Sequence, residues 1–496
     1  MLSIIIARKH LFLLVAVLTV ALFLRFYRLE ALTEFLGDQG RTGMVIYEAW
    51  QHKQLPLVGP PVLTGQLLGP FYYYLIGPAF ILGKFNPLIP AGTVALFGVV
   101  SVYLLYWLIS RLTNAAIGIT VAGLYAVAPS IVTAERTLWE PNLIVPFVLL
   151  FLIAIYQIVE KRCFQYFSLI GLSVGILVQL HYPNLLLIAL SGLFGVYIFF
   201  TKKKKESYGK ICIWIIAGLV IFILTLFPFL YYEALHQWKD FRELILTLLF
   251  RENQAVAATP GIFRMIDLSG HVTNRLFPIS DLRLTAAIWL ILFFLSKRVF
   301  WTWFLGLWYF LGVLALSFYQ GTIFEHYLNF LLPLPFIFFG LVLARLRLAR
   351  LGKLWWLIPG LMIVINLRAT DSFKTGVNDL TRIKLLTNAM LEQAGGQPFS
   401  FTLINSRSFS DLHYRYFLTL AESHPQPVTA SNYAKLFLLC DGDNCPSEPE
   451  MRSKNLVNAL CYEAHCEGSY PVIDLAKFRL AGVVSTNGSK IFSYQR

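Results

Sequence analysis

From Leu11 to Ala369 the chain is a succession of apolar runs long enough to cross a bilayer, with basic clusters between them. A helix rises about 1.5 Å per residue, so roughly 17–25 apolar residues traverse a hydrocarbon core of about 30 Å. About eleven segments qualify on that measure. They lie near 8–26, 90–110, 115–132, 142–160, 164–180, 185–200, 210–230, 284–297, 300–318, 327–344 and 354–369. The composition agrees, at 57% hydrophobic and 14% charged, where soluble domains average about 45–50% apolar and about 25% charged. In water such a chain would expose apolar patches too large to stay dispersed; in a bilayer they face lipid.

The basic residues orient the spans. Arg8-Lys9-His10 precede the run Leu11–Leu24, and Arg25-Phe26-Tyr27-Arg28 follow it. With no small-residue cleavage site, the run is expected to be an uncleaved anchor whose N-terminus is cytoplasmic. The loops containing Arg111, Lys161-Arg162, Lys202–Lys205, Lys297-Arg298 and Arg345–Lys353 then all fall on the cytoplasmic side, as the positive-inside bias requires. This holds only if Pro70–Gly83 is not a span. That run is short and flanked by Gly69-Pro70 and Lys84-Phe85-Asn86-Pro87, which suits an interfacial or re-entrant helix. Counted as a span, it would invert every later loop. The net charge of +14 belongs to the span ends, because Asp371–Arg496 carries 12 Lys/Arg against 12 Asp/Glu. The expected partner of that charge is anionic membrane lipid, not nucleic acid.

Hydrophobic continuity ends after Arg368, which divides the chain into a membrane module (1–370) and an extracytoplasmic soluble domain (371–496). In the latter, Leu380–Glu392 reads as helix and Phe399–Ile404, Leu436–Leu439 and Gly482–Val484 read as strands, a small α/β domain. Cys440, Cys445, Cys461 and Cys466 fall there. Their four-residue gaps are wider than usual zinc-ligand pairs and an exported domain can oxidise, so disulfides are expected, with three connectivities open. Cys163 and Cys212, at cytoplasmic span ends, read as packing residues.

No internal repeat, Walker loop, dinucleotide fingerprint or metalloprotease motif occurs. Polar chemistry gathers instead in the loops of the outer face. Asp38, beside Arg41 just after the first span, is either a base for a hydroxyl proton or the cap of a helix beginning near Thr42. Glu135-Arg136 and Glu140 form a charged hinge between two spans, where ionisable groups are costly without partners. A connecting turn with Pro141 at the start of the next helix accounts for the same residues. His181-Tyr182 and His326-Tyr327 lie at outer span ends, where single histidines are usually structural. Together with Arg136, Arg264 and Arg275 they could form a cationic rim for a phosphate.

The layout resembles the GT-C glycosyltransferases, in particular the family of protein O-mannosyltransferases and bacterial aminoarabinose transferases. The matching features are Gly-Asp-Gln-Gly-Arg around Asp38, the run Pro70–Ile76, the Glu135-Arg136 hinge, and His326-Tyr327 before Pro333, over roughly residues 1–370. Ser431–Lys435 leading into Phe437–Cys440 looks like the extracytoplasmic domain of some bacterial members. The resemblance implies an α-helical polytopic fold and transfer of a hexosyl or pentosyl group from a polyprenyl-phosphate donor to a lipid, glycan or protein acceptor. It implies Asp38 as general base, Glu135 in acceptor positioning and Arg136 with the outer basic and His residues at the phosphate. Many members offer an Asp in the short loop, where this chain has Glu135 and Glu140. No spacing demands a metal, and a divalent ion is left open.

The competing function is a transporter or lipid flippase, which would bury ionisable residues at mid-membrane in several spans. Those interiors are nearly free of them. A membrane part that only anchors a binding domain would need a single helix.

Overall fold

The computed structural model describes residues 2–62, 65–204, 206–250, 261–276, 282–296, 299–319, 322–348, 355–408, 410–428, 430, 432–442, 444–458, 472–486 and 488–496. They form two compact units. The first comprises Met1–Tyr27, Leu55–Ala79 and Ile89–Thr375, and the second Arg28–Gln54, Phe80–Leu88 and Gly376–Arg496. The second thus combines a C-terminal stretch with two segments from the first long loop.

Among the described residues six helices are long and apolar enough to cross a membrane: Arg8–Phe26, Leu88–Leu112, Glu140–Lys161, Tyr182–Phe200, Tyr208–Leu235 and Phe300–Phe318. Shorter apolar helices occupy Phe71–Leu82, Ala115–Val127, Phe164–Leu180, Ala286–Leu295 and Pro333–Leu346. A further helix, Leu357–Ala369, covers the last expected span. At 12 residues, Phe71–Leu82 extends only about 18 Å, too short to cross unaided. The expected span 115–132 is broken, because Ala128 turns extended before Pro129 and a second short helix, Pro129–Ala134, follows. Helix ends are set locally. Asn114 accepts from the Ile117 amide to cap Ala115–Val127. Arg162 takes a left-handed conformation that ends Ile144–Lys161, and its guanidinium grips Glu206 at 2.7 and 2.5 Å.

In the second unit a four-stranded sheet runs β1 (Phe399–Asn405), β2 (Lys435–Cys440), β6 (Ser489–Gln495), β5 (Arg479–Thr486) in spatial order, with a small pair β3 (Leu456–Asn458) and β4 (Val472–Asp474) apart. β1 and β2 are parallel; β6 is antiparallel to both β2 and β5. β5 and β6 pair up to Thr486 and Ser489, and Gly488 just before β6 has φ +82°, which glycine adopts without strain. The expected helix is Asp379–Ala394, ended by Gly395 in the left-handed region. A second helix, Leu412–Leu420, has no counterpart in the sequence expectation.

Cys440 and Cys445 are joined, Cα to Cα 5.6 Å; Cys461 and Cys466 lie outside the described residues. Cys163 and Cys212 are free and half-buried. A cross-link over so short a loop restricts the unfolded chain modestly, by about 2 kcal/mol. Replacing Cys445 by Ser should lower the stability of the C-terminal part by that amount, read as an earlier thermal transition of purified protein, without preventing folding.

Candidate active site

The hinge after Ala115–Val127 is folded inward. Glu135 ends the Pro129–Ala134 helix and is 3% exposed; Arg25, in the last turn of the first helix, is fully buried. Glu135 Oε2 accepts from Arg25 Nε at 2.7 Å and Nη2 at 2.5 Å, and its Oε1 accepts from the Tyr125 hydroxyl at 2.7 Å. Arg25 Nη1 donates to the carbonyls of Ala21 and Ala126. A charge pair out of water is tolerable only with such complete hydrogen bonding. Gly98 makes room for it, since a Cβ there would stand 2.5 Å from Glu135 Oε2 and 2.8 Å from Arg25 Nε. The carboxylate expected to position an acceptor is thus engaged on both oxygens by its own fold.

Arg136 is 1% exposed and donates to Ser372 Oγ (3.1 Å) and Thr133 Oγ1 (3.3 Å). Burial lowers its basicity and Asp371 opposes that; a guanidinium remains a cation regardless. Asn142 Nδ2 donates to the Thr137 carbonyl and Asn329 Nδ2 to the Pro141 carbonyl, which fixes the rest of the hinge. Glu140 opens the 3-10 turn Glu140–Leu143 and is buried as well.

Beside the hinge, rings from three distant segments meet. Trp139 lies 4.4 Å from His326, His326 stacks on His181 at 5.1 Å, and Tyr327 meets His181 edge-on at 4.7 Å between centroids. Neither ring nitrogen of His181 has a hydrogen-bond partner among the described residues. Burial, with the neighbouring His326, pushes His181 down to about 3, and burial alone takes His326 to about 4. Both rings are therefore neutral at pH 7 and can offer hydrogen bonds but no charge, unlike the histidine part of the expected cationic rim. His181, Tyr182 and Tyr327 line a cavity of about 280 Å³ that is otherwise walled mainly by apolar side chains such as Leu186, Leu316 and Phe330. The Tyr182 hydroxyl is held by the Leu67 carbonyl at 2.6 Å. Arg275 ties to Glu325, next to His326, at 2.5 Å. Arg264 is half-buried on the helix Gly261–Asn274, about three turns before Arg275.

Asp38 and Arg41 belong to the second unit. The helix there begins at Gly37, not Thr42, so Asp38 is not its cap; Gln39 bonds back to the Leu36 amide instead. Asp38 sits in the first turn, where the helix dipole favours a carboxylate. It is paired with Arg41 at 2.8 Å and its side chain is 50% exposed.

The family described as dolichyl-phosphate-mannose-protein mannosyltransferase matches residues 69–232. Among solved structures, ArnT from Cupriavidus metallidurans in the apo state superposes with a TM-score of 0.59 at 13% identity, covering 98% of both chains. ArnT bound to undecaprenyl phosphate gives 0.57 at 12%, covering 98% of this chain and 97% of that one. The chain has the GT-C fold. It is a multi-pass membrane protein with a small C-terminal strand domain. The GT-C fold is shared more distantly with the archaeal oligosaccharyltransferase AglB from Archaeoglobus fulgidus, in complex with an inhibitory peptide and a dolichol-phosphate (TM-score 0.50, 12% identity, 87% of this chain and 69% of that one). No curated protein sequence matches the chain significantly.

Arg25 was not singled out in the sequence. It reads there as one more basic residue flanking a span, and its partner is 110 positions away. Glu135→Gln should cost about 3–5 kcal/mol by leaving the buried guanidinium without a counter-charge. Tyr125→Phe should cost about 1.5–3 kcal/mol. Thermal unfolding in detergent separates the two, and equal small effects would show that the pair is not stabilising the hinge. Histidine-selective NMR should find titration midpoints below pH 5 for His181 and His326, with no step near 6.5.

Proposed function

We propose that the protein transfers a sugar from a polyprenyl-phosphate carrier to an acceptor hydroxyl on the extracytoplasmic side, with its N-terminus cytoplasmic and its C-terminal domain outside. The observation that carries the assignment of the base is exposure. Of the three carboxylates singled out in the sequence, Glu135 and Glu140 are buried, whereas Asp38 is open to solvent on a rigid helical turn. The lipid donor is supported by the family match and by the undecaprenyl phosphate and dolichol-phosphate bound to proteins of like fold. Nothing in those likenesses favours a transporter or flippase.

In this reaction Asp38 takes the proton of the acceptor hydroxyl as its oxygen attacks the anomeric carbon. The bond from that carbon to the phosphate oxygen breaks, and the polyprenyl phosphate leaves with the electron pair. Arg41, paired with Asp38 at 2.8 Å, orients it before the acceptor arrives. Arg136 and Arg275 supply fixed positive charge for the phosphate, which is worth more in a water-poor site than in bulk solvent. His181 and His326 contribute neutral hydrogen-bond donors. Glu135 acts through Arg25 and the hinge, so it positions Arg136 and does not meet the acceptor. The transferred group is a hexosyl or pentosyl unit, on a lipid, glycan or protein acceptor.

Asp38→Asn should lower transfer from polyprenyl-phosphate sugars by at least about 100-fold, the usual range for loss of a general base, while binding of polyprenyl phosphate is kept. Full activity in that variant would remove Asp38 from the chemistry.

A further inference from the structure

The helix Gly37–His52 rests on the helix Leu412–Leu420 through Gly37, Gly40 and Gly43, which recur every third residue and so share a side. At Gly40 the approach is main chain on main chain. A Cβ on Gly40 would stand 2.5 Å from the His413 N and Cα, and one on Gly37 would stand 2.7 Å from Ser410 Oγ and 2.8 Å from its Cβ. A Cβ on Gly43 would lie 2.7 Å from Tyr416 Cδ2. The Gly37 amide donates to Ser408 Oγ at 3.0 Å, and just upstream the Phe35 amide donates to Asp379 Oδ2 at 3.3 Å. At 100° per residue, Asp38 falls about 200° from Gly40 and faces away from the seat.

Beneath that seat is a charged core used by no step of the reaction. Arg382, 1% exposed, is ion-paired with Asp379 at 2.7 Å and with Asp441. Ser489 Oγ donates to Asp441 Oδ1 at 3.0 Å, and His413 Nε2 lies 3.6 Å from Asp441 Oδ2. These groups come from β6, the helix Asp379–Ala394, the helix Leu412–Leu420 and the residue that follows β2. A buried ionic cluster of this kind contributes less to stability than to holding one geometry, since desolvation offsets much of its attraction.

We propose that the C-terminal domain is the positioning element for the acceptor-activating carboxylate: the seat formed by Ser408, Ser410, His413 and Tyr416, braced by Arg382, sets where Asp38 stands. This rests on the assignment of Asp38 as the base. The soluble domain is then part of the catalytic apparatus, although none of its residues touches the reacting atoms. A displacement of about 1 Å at a reacting group can cost on the order of 100-fold in rate, so small steric changes at the seat should be read in kcat.

The test compares steady-state transfer and polyprenyl phosphate binding, in full-length protein in detergent, for Asp38→Asn, Gly40→Ala, Gly37→Ala, Ser410→Gly and Gly37→Ala combined with Ser410→Gly. Gly40→Ala is expected to lower kcat by about 10- to 100-fold with carrier affinity unchanged. Gly37→Ala should lower it too, and the double variant should regain most of that loss relative to Gly37→Ala, because the atoms nearest the added methyl are those of the Ser410 side chain. Should Gly40→Ala fail to fold, the Gly37–Ser410 pair decides alone. An inactive Asp38→Asn beside Gly37→Ala of parental kcat, or a Gly37→Ala defect that Ser410→Gly does not relieve, overturns the positioning role and leaves the base intact. A fully active Asp38→Asn overturns both.

Discussion

A guanidinium and a carboxylate removed from water must find every hydrogen bond they need inside the protein, or the chain cannot keep them there. Arg25 and Glu135 meet that condition through Tyr125, two backbone carbonyls and the space left at Gly98. Their pairing joins the end of the first helix to the hinge after Ala134. The hinge in turn carries Arg136, bonded to Ser372, and Trp139, packed on His326. The two hinge residues Arg136 and Trp139 are thus traceable to one desolvated contact.

The division of labour among the carboxylates follows from the same physics. A buried carboxylate held by an arginine on one oxygen and a tyrosine on the other is committed to its own fold and shut off from solvent. Glu135 is of that kind, whereas Asp38, half in water and leaning on Arg41, keeps one oxygen clear of that pairing. The two histidines show another effect of burial: it strips them of charge and leaves each a ring N–H to donate.

Much of the membrane architecture was legible because apolar length and basic flanks are one-dimensional signals. Helices occur in every expected span, and Phe71–Leu82 is as short as its flanks implied. The Asp379–Ala394 helix and the strands β1, β2 and β5 were legible from periodicity. β6 was not, because Ser489 and Ser493 interrupt its apolar pattern; in the fold both are buried, with Ser489 bonded to Asp441 and Ser493 to Gln393. Arg25 and the Gly37–Gly40–Gly43 contact escaped for a related reason. Their meaning lies in partners more than a hundred, or several hundred, positions away, and no local pattern announces such a partner. The division at 370/371 likewise could not show that Arg28–Gln54 packs with the C-terminal stretch.

The order of strands has a consequence for biosynthesis. β6, made last, lies between β2 and β5 in the middle of the sheet, so the sheet cannot close until synthesis is nearly complete. The Gly37–His52 helix is made early and finds its seat only then. Contacts of such long sequence separation are slow to form, so this segment must wait without its seat while the rest of the chain is made. Seating of the Gly37–His52 helix is in effect a final folding event, and a chain that stalls or is cut short before its last strand would leave that helix without its partner.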